Sequence, residues 1–209
     1  NNSYRGAGIG CSNGAYPIIR NTLITGNTST ESGGGIYVCN SSNPIIENVT
    51  ITNNESGQGA LYLVGANASL SNVIIWNNLS QYSIYLWASS EIEIQYSDIN
   101  NIEFAGDSGN EEWDIVGNIS VDPLFNDSVN NDFTLYEGSP CIDAGISDLN
   151  GDGYEDIIDY YGIAPDMGAY EWYPDLLGDI NADGIVNVLD VVLIVAIILD
   201  SASEYNPQA

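Results

Sequence analysis

Two acidic stretches carry residue types and spacings that could do chemistry as they stand. Asp148, Asn150, Asp152, Tyr154, Asp156 and Asp159 take positions 1, 3, 5, 7, 9 and 12 of a twelve-residue loop with Gly153 at position 6. Asp179, Asn181, Asp183, Ile185, Asn187 and Asp190 repeat the pattern around Gly184. Alternate residues of a tight loop turn their oxygens inward, and glycine permits the sharp bend. Position 7 offers its main-chain carbonyl to a hard cation that takes about six to eight oxygens. The expected cofactor is Ca2+ at both loops. Each loop ends in Asp rather than Glu, which shortens the reach of the last ligand.

Composition works mainly by exclusion. The 209 residues hold 29 Asp and Glu against 2 Lys and Arg, with no His, for a net charge of −27. Arg5 and Arg20 cannot make a basic stripe, so no nucleic-acid partner is expected. Absent histidine rules out Ser-His-Asp and Cys-His catalysis, and absent lysine rules out a P-loop or Schiff base. The longest apolar run, Val191 to Leu199, is too short to span a membrane. Cys11, Cys39 and Cys141 are too few and too scattered for a disulfide scaffold and read as small buried hydrophobes. The opening Asn-Asn-Ser-Tyr-Arg has neither an initiator Met nor a signal peptide, as expected of a mature or internal piece of a longer protein.

The elements that must position these groups are repeats. At an offset of 27, Pro17 falls on Pro44, Ile18 on Ile45, Asn21 on Asn48, Ile24 on Ile51 and Asn27 on Asn54. At 24, Asn48 falls on Asn72, Ile51 on Ile75 and Asn54 on Asn78; a further 24 carries Ala60 to Ile84, Tyr62 to Leu86, Leu70 to Ile94, Ile75 to Ile99 and Asn77 to Asn101. Each unit holds short runs of alternating apolar residues between Gly, Asn and Ser clusters, which read as strand, bend, strand. A unit this short buries its apolar face only by stacking, so the period predicts an all-β fold, a parallel β-helix. Columns of Asn at the bends are expected to bond along the axis. Cys11 falls on Val38 when the alignment is anchored on proline and on Cys39 when anchored on the flanking Ser and Asn; the second register would permit a disulfide.

The phrases D-P-L-F (122–125), G-S-P-C-I-D-A-G (138–145) and D-M-G-A-Y-E (166–171) resemble the choice-of-anchor Q region that ends many secreted bacterial right-handed β-helix proteins. That resemblance implies a right-handed solenoid and a secreted, cell-surface address. The run G-D-I-N-A-D-G-I-V-N-V-L-D-V-V-L-I-V-A-I-I-L (178–199) resembles the first loop-helix segment of a type I dockerin. It implies a calcium loop followed by a short helix, and a cohesin-like partner only where the second segment is present. Unpartnered, the helix would leave Ile194, Ile197 and Ile198 exposed or docked on the solenoid. The expected organisation is β-helix coils over 1–116, closing coils and cap over 117–174, and an incomplete dockerin-like loop-helix over 175–209.

Two functions follow. One is a secreted or cell-surface module associated with polysaccharide; the aromatic row Tyr37, Tyr62, Trp76, Tyr85 and Trp87, extended by Tyr96, supplies glycan-binding candidates, with burial in the core as the plain alternative. The other is a fragment of a β-helix polysaccharide lyase or glycoside hydrolase. A lyase base could be Arg20, whose repeat equivalents are Glu47 and Ser71. Hydrolase carboxylates must face each other across the scissile bond, and nothing marks a pair among Glu47, Glu91, Glu93 and Asp98. No catalytic residue is assigned.

Overall fold

The computed structural model describes residues 1–100, 111–112, 116–174, 178–181 and 185–204. Its first unit, residues 1–172, is built on stacked coils. β1 (Asn2–Arg5), β2 (Ile9–Cys11) and β3 (Ile18–Thr25) form the first coil, and β4 (Thr28–Ser32), β5 (Ile36–Cys39) and β6 (Ile45–Thr52) the second. β7 (Gly59–Val64) and β8 (Asn67–Trp76) belong to the third coil; β9 (Tyr82–Trp87), β10 (Glu91–Gln95) and β11 (Asp98–Ile99) to the fourth; β12 (Glu111–Glu112) continues the stack. Every pairing between coils is parallel: β1 with β4, the row β2-β5-β7-β9, and the row β3-β6-β8-β10-β12, with β11 also on β8.

Ile18, Ile45 and Ser69 lie directly over one another, as the 27 and 24 periods predict. Inward columns make the core: Ile46–Leu70–Ile94, Ile51–Ile75–Ile99, Ile36–Leu61–Ile84 and Val38–Leu63–Leu86, all at most 1 % exposed. The Asn27, Asn54 and Asn78 column is a ladder in which each amide oxygen accepts from the backbone N–H and side-chain Nδ2 of the Asn before it, at 2.9 to 3.1 Å. Asn21, Asn48 and Asn72 share a second bend, each with φ near 50°, a left-handed conformation that Asn tolerates.

Two registers differ from the sequence reading. Tyr62 lies over Tyr85 rather than Leu86, and Leu61 rather than Ala60 lies over Ile84. The cause is the corner after each of these strands. Gly65 alone turns the third coil in the left-handed region, whereas Ala88 and Ser89 turn the fourth, so one extra residue is absorbed there and the 24 period resumes in β10. Because side chains alternate, that one-residue slip exchanges faces along β9. The Cys11 ambiguity resolves to the proline-anchored register: Cys11 pairs with Val38, and all three cysteines are free thiols. Asn101, the expected partner of Asn77, lies outside the described residues.

After Ile119, which bridges to Asp98, the chain turns back along the outer side of β6 and β8. This flank contains the antiparallel pair β13 (Phe125–Asp127) and β14 (Asp132–Leu135). Leu135, Cys141 and Met167 bury the outward-facing Ile74, with Trp76, Tyr96 and Trp172 packed around them. Asn72 fixes the crossing by exchanging hydrogen bonds with the N–H and carbonyl of Ile146, and Thr50 accepts from the N–H of Ala169.

The second unit, residues 173–209, contains α1 (Val188–Glu204). Asn187 caps it by accepting from the N–H of Leu189, while the Asp190 carboxylate reaches back to the N–H of Asn187 at 2.7 Å, the reciprocal arrangement of a capping box. No helix among the described residues is long and apolar enough to cross a membrane.

Candidate functional site

A groove of about 630 Å³ crosses all four coils where the row of β2 turns into the row of β3. Its floor is Pro44, Ala68 and Ile92, with the half-exposed Ile45 beside them. Tyr16 rises from the first coil, 72 % exposed, and Glu91 and Glu93 stand on the fourth, both exposed. Between them Asn43, Asn67 and Glu91 stack at one register position. The Asn43 side-chain oxygen accepts from the N–H of Asn67, and the Asn67 oxygen accepts from the N–H of Glu91, at 3.2 and 3.1 Å. With both oxygens so used, the two amide nitrogens bond to nothing among the described residues. Glu91 and Glu93 lie two residues apart on one strand face, about 7 Å along it. Both project from the outward face of the fourth coil, one on each side of Ile92 of the floor.

Of the aromatic candidates, Tyr37, Tyr62 and Tyr85 form one outward column. Their rings stack with centroids 5.5 and 5.0 Å apart and planes within 11° and 3° of parallel. The stack covers both faces of Tyr62 and one face each of Tyr37 and Tyr85; Arg5 lies 5.7 Å from the Tyr37 ring, and Tyr82 meets Tyr85 at a tilt of 48°. Burial raises the phenol pKa of Tyr37 and Tyr62 above the usual value. Trp87 shares their strand face and is 46 % exposed. Trp76 and Tyr96 stand apart from the column, packed into the flank cluster.

Arg20, the sequence's lyase candidate, is ion-paired to Glu47, which is 6 % exposed; that pairing raises the arginine's pKa. Arg5 pairs with Glu31, so both arginines are held by the next coil's acid. Asp98 is fully buried, accepting from the N–H of Val121 and the thiol of Cys141, and burial pushes its pKa up to about 6. On the flank Asp166 accepts from the N–H groups of Asp143 and Trp172, and Glu171 from those of Tyr161 and Asp166. Burial raises these two carboxyls to about 6 and about 7.

The first acidic loop is wound as its spacing requires, with Gly151 and Gly153 at φ 72° and 88°. Its donors are all oxygen and suit a hard cation in kind. They are engaged with the loop's own amides: Asp148 accepts from Gly151, Asp152 and Gly153, Asn150 from Asp152, Asp152 from Tyr154 and Asp156 from Leu149. Asp159 is exposed, and no hydrogen bond ties it to this network. In the second loop Asp190 accepts from the N–H groups of Ile180, Asn181 and Asn187, which together hold its pKa below the usual range, the Asn187 bond foremost. Asp179, Asn181, Ile185 and Asn187 lie on the same loop, and Asp183 lies outside the described residues. Among the described residues no three acids converge on one point as metal ligands would.

Sequence reasoning passed over Tyr16, Asn43, Ile45 and Asn67. A signal was present: Asn43-Pro-Ile, Asn67-Ala-Ser and Glu91-Ile-Glu occupy one repeat position at an offset of 24. No curated protein and no solved structure matches the chain. A family model described as the right handed beta helix region matches residues 1–119, more than half of the 209. With every coil pairing among the described residues of that span parallel, the chain belongs to the right-handed β-helix family.

Proposed function

We propose that this chain is an extracellular or cell-surface β-helix module that holds polysaccharide along the coil-crossing groove, with its acidic loops ordered by Ca2+. The observation that carries the reading is the groove itself. It joins an exposed aromatic ring, an apolar floor and unpaired amide donors over four stacked coils. Sugar sites combine such features, because a pyranose has apolar faces and a rim of hydroxyls. The stack also repeats its groups at about 4.8 Å, which suits a polymer more than a single small molecule. Calcium is supported by donor type, by loop winding and by the repulsion that binding would relieve at a net charge of −27.

A glycan array on the purified chain, run alongside an assay for unsaturated sugar ends, tests the reading. Binding without cleavage is expected, and Tyr16→Ala should weaken it several-fold. Cleavage would turn the reading toward the lyase or hydrolase fragment, and no binding to any glycan would end it. The calcium part is tested separately by thermal scans in millimolar Ca2+ and in chelator. A Tm raised by Ca2+ is expected from linkage; identical scans would remove calcium from the reading.

A further inference from the structure

We infer that the groove's ligand is an oligosaccharide bearing free amino groups, a polymer of deacetylated hexosamine rather than a uronate or a neutral glucan; this rests on the polysaccharide reading above and narrows it. Electrostatics makes the first cut. The chain carries −27 and both of its arginines are committed to Glu31 and Glu47. A uronate polymer would meet repulsion from the whole molecule and find no cation in the groove.

The groove makes the second cut. Glu91 and Glu93 are exposed on its wall, and no ion pair among the described residues reaches either. Their spacing of two strand residues sets two anionic points about 7 Å apart on the fourth coil, across the groove rather than along it. An ammonium group at each would be paired in water-accessible surroundings, while the Asn43 and Asn67 amide nitrogens donate to ring hydroxyls and Ile45 and Tyr16 cover the apolar sugar faces.

A basic peptide satisfies the charge but not the backbone. Extended peptides bind sheets by adding to an open edge, and the strand residues that line this groove belong to β6, β8 and β10, each paired on both sides. The ligand is therefore read by side chains, which favours a molecule studded with hydroxyls and amines.

Calorimetric titration of the full chain with a glucosamine hexamer, its N-acetylated counterpart, a polygalacturonate oligomer and an oligolysine tests this. The glucosamine hexamer is expected to bind about tenfold more tightly than the N-acetylated form, the size expected of two exposed ion pairs. The advantage should shrink as salt rises and vanish in the Glu91→Gln, Glu93→Gln double variant. Those residues are exposed, so the variant should fold; an unchanged Tm checks that it does. Equal binding of the two hexamers, or preference for the uronate, overturns the inference while the polysaccharide reading stands. Failure of every glycan removes both, and oligolysine binding alone, abolished by the double variant, would reassign the groove to a protein partner.

Discussion

In the coils Leu70 lies between Ile46 and Ile94, and its strand β8 bonds to β6 on one side and β10 on the other. On the flank, residues 120–172 hold to the same sheet through isolated bonds: Ile146 to Asn72, Ala169 to Thr50, the Cys141 thiol to Asp98. The coils bury aliphatic side chains, and their polar ladder is neutral amide. The flank covers the buried Asp98 of β11 and holds the buried Asp166 and the half-buried Glu171, which accept from N–H donors and, at Asp98, from the Cys141 thiol, with no cation paired to them among the described residues. A repeating backbone can satisfy its polar groups within the repeat. A single covering segment must borrow side chains to do so, and here those are carboxylates together with the amide of Asn72 and the hydroxyl of Thr50.

The largest effect should come from the coils. Leu70→Ala removes a fully buried side chain between two coil neighbours and should cost about 3 kcal/mol. Because Asn72 and Ile74 on the same strand anchor the flank, coils and flank should unfold together. Denaturant titration followed by a coil tyrosine signal and by flank-specific hydrogen exchange checks this. A flank that outlasts the coils would break the contrast.

Legibility followed the same division. Repetition announces itself: Ile18 over Ile45, the amide ladder and the inward columns could be read from spacing because identical environments select similar residues at each turn. The exception was β9, where Ala88 and Ser89 both adopt positive φ in place of the single Gly65. Corner length has weak sequence preference, so the sequence placed Tyr37, Tyr62 and Tyr85 in one aromatic row but set Tyr62 over Leu86 instead of Tyr85. The flank's contacts span separations of 74 and 119 residues, and nothing local in Ile146 or Ala169 names a partner. The groove fell between these cases. Its residues repeat, but Asn, Ser and Glu at a bend are also what a plain turn selects.

A middle-sized effect separates the regions most directly. Gly168 has φ 98°, and an added Cβ would lie 2.7 Å from Ile74 Cδ1 and 2.8 Å from Thr50 Oγ1. Gly168→Ala should therefore cost about 2 kcal/mol from strain and crowding, spent on flank docking alone. Limited proteolysis should cut within 120–172 while the coil transition in denaturant stays near that of the parent. If the coil midpoint instead falls as far as in Leu70→Ala, the flank is part of the coil fold rather than a cover on it.

The smallest effect is pH dependence, and its sign runs against ordinary acid denaturation. Asp98 and Asp166 at about 6 and Glu171 at about 7 lie above the usual carboxylate values near 4, because burial disfavours their charged forms more than the N–H donors favour them. In the window between about 4 and 7 the folded flank binds more protons than the unfolded chain. Its stability is then fully present below about pH 4 and lost as pH rises through 6 and 7. The flank's hydrogen-exchange protection should rise as pH is lowered from 8 to 5, after correction for the intrinsic exchange rate. General relief of charge repulsion would also help on acidification, but it acts on coils and flank alike. Glu171→Gln isolates the local part: it resembles the protonated acid, so it should flatten the flank's response near pH 7 and leave the portion near 6 that belongs to Asp98 and Asp166. A flank whose protection falls between pH 8 and 5, or a variant with an unaltered profile, would show that its buried acids do not set its attachment.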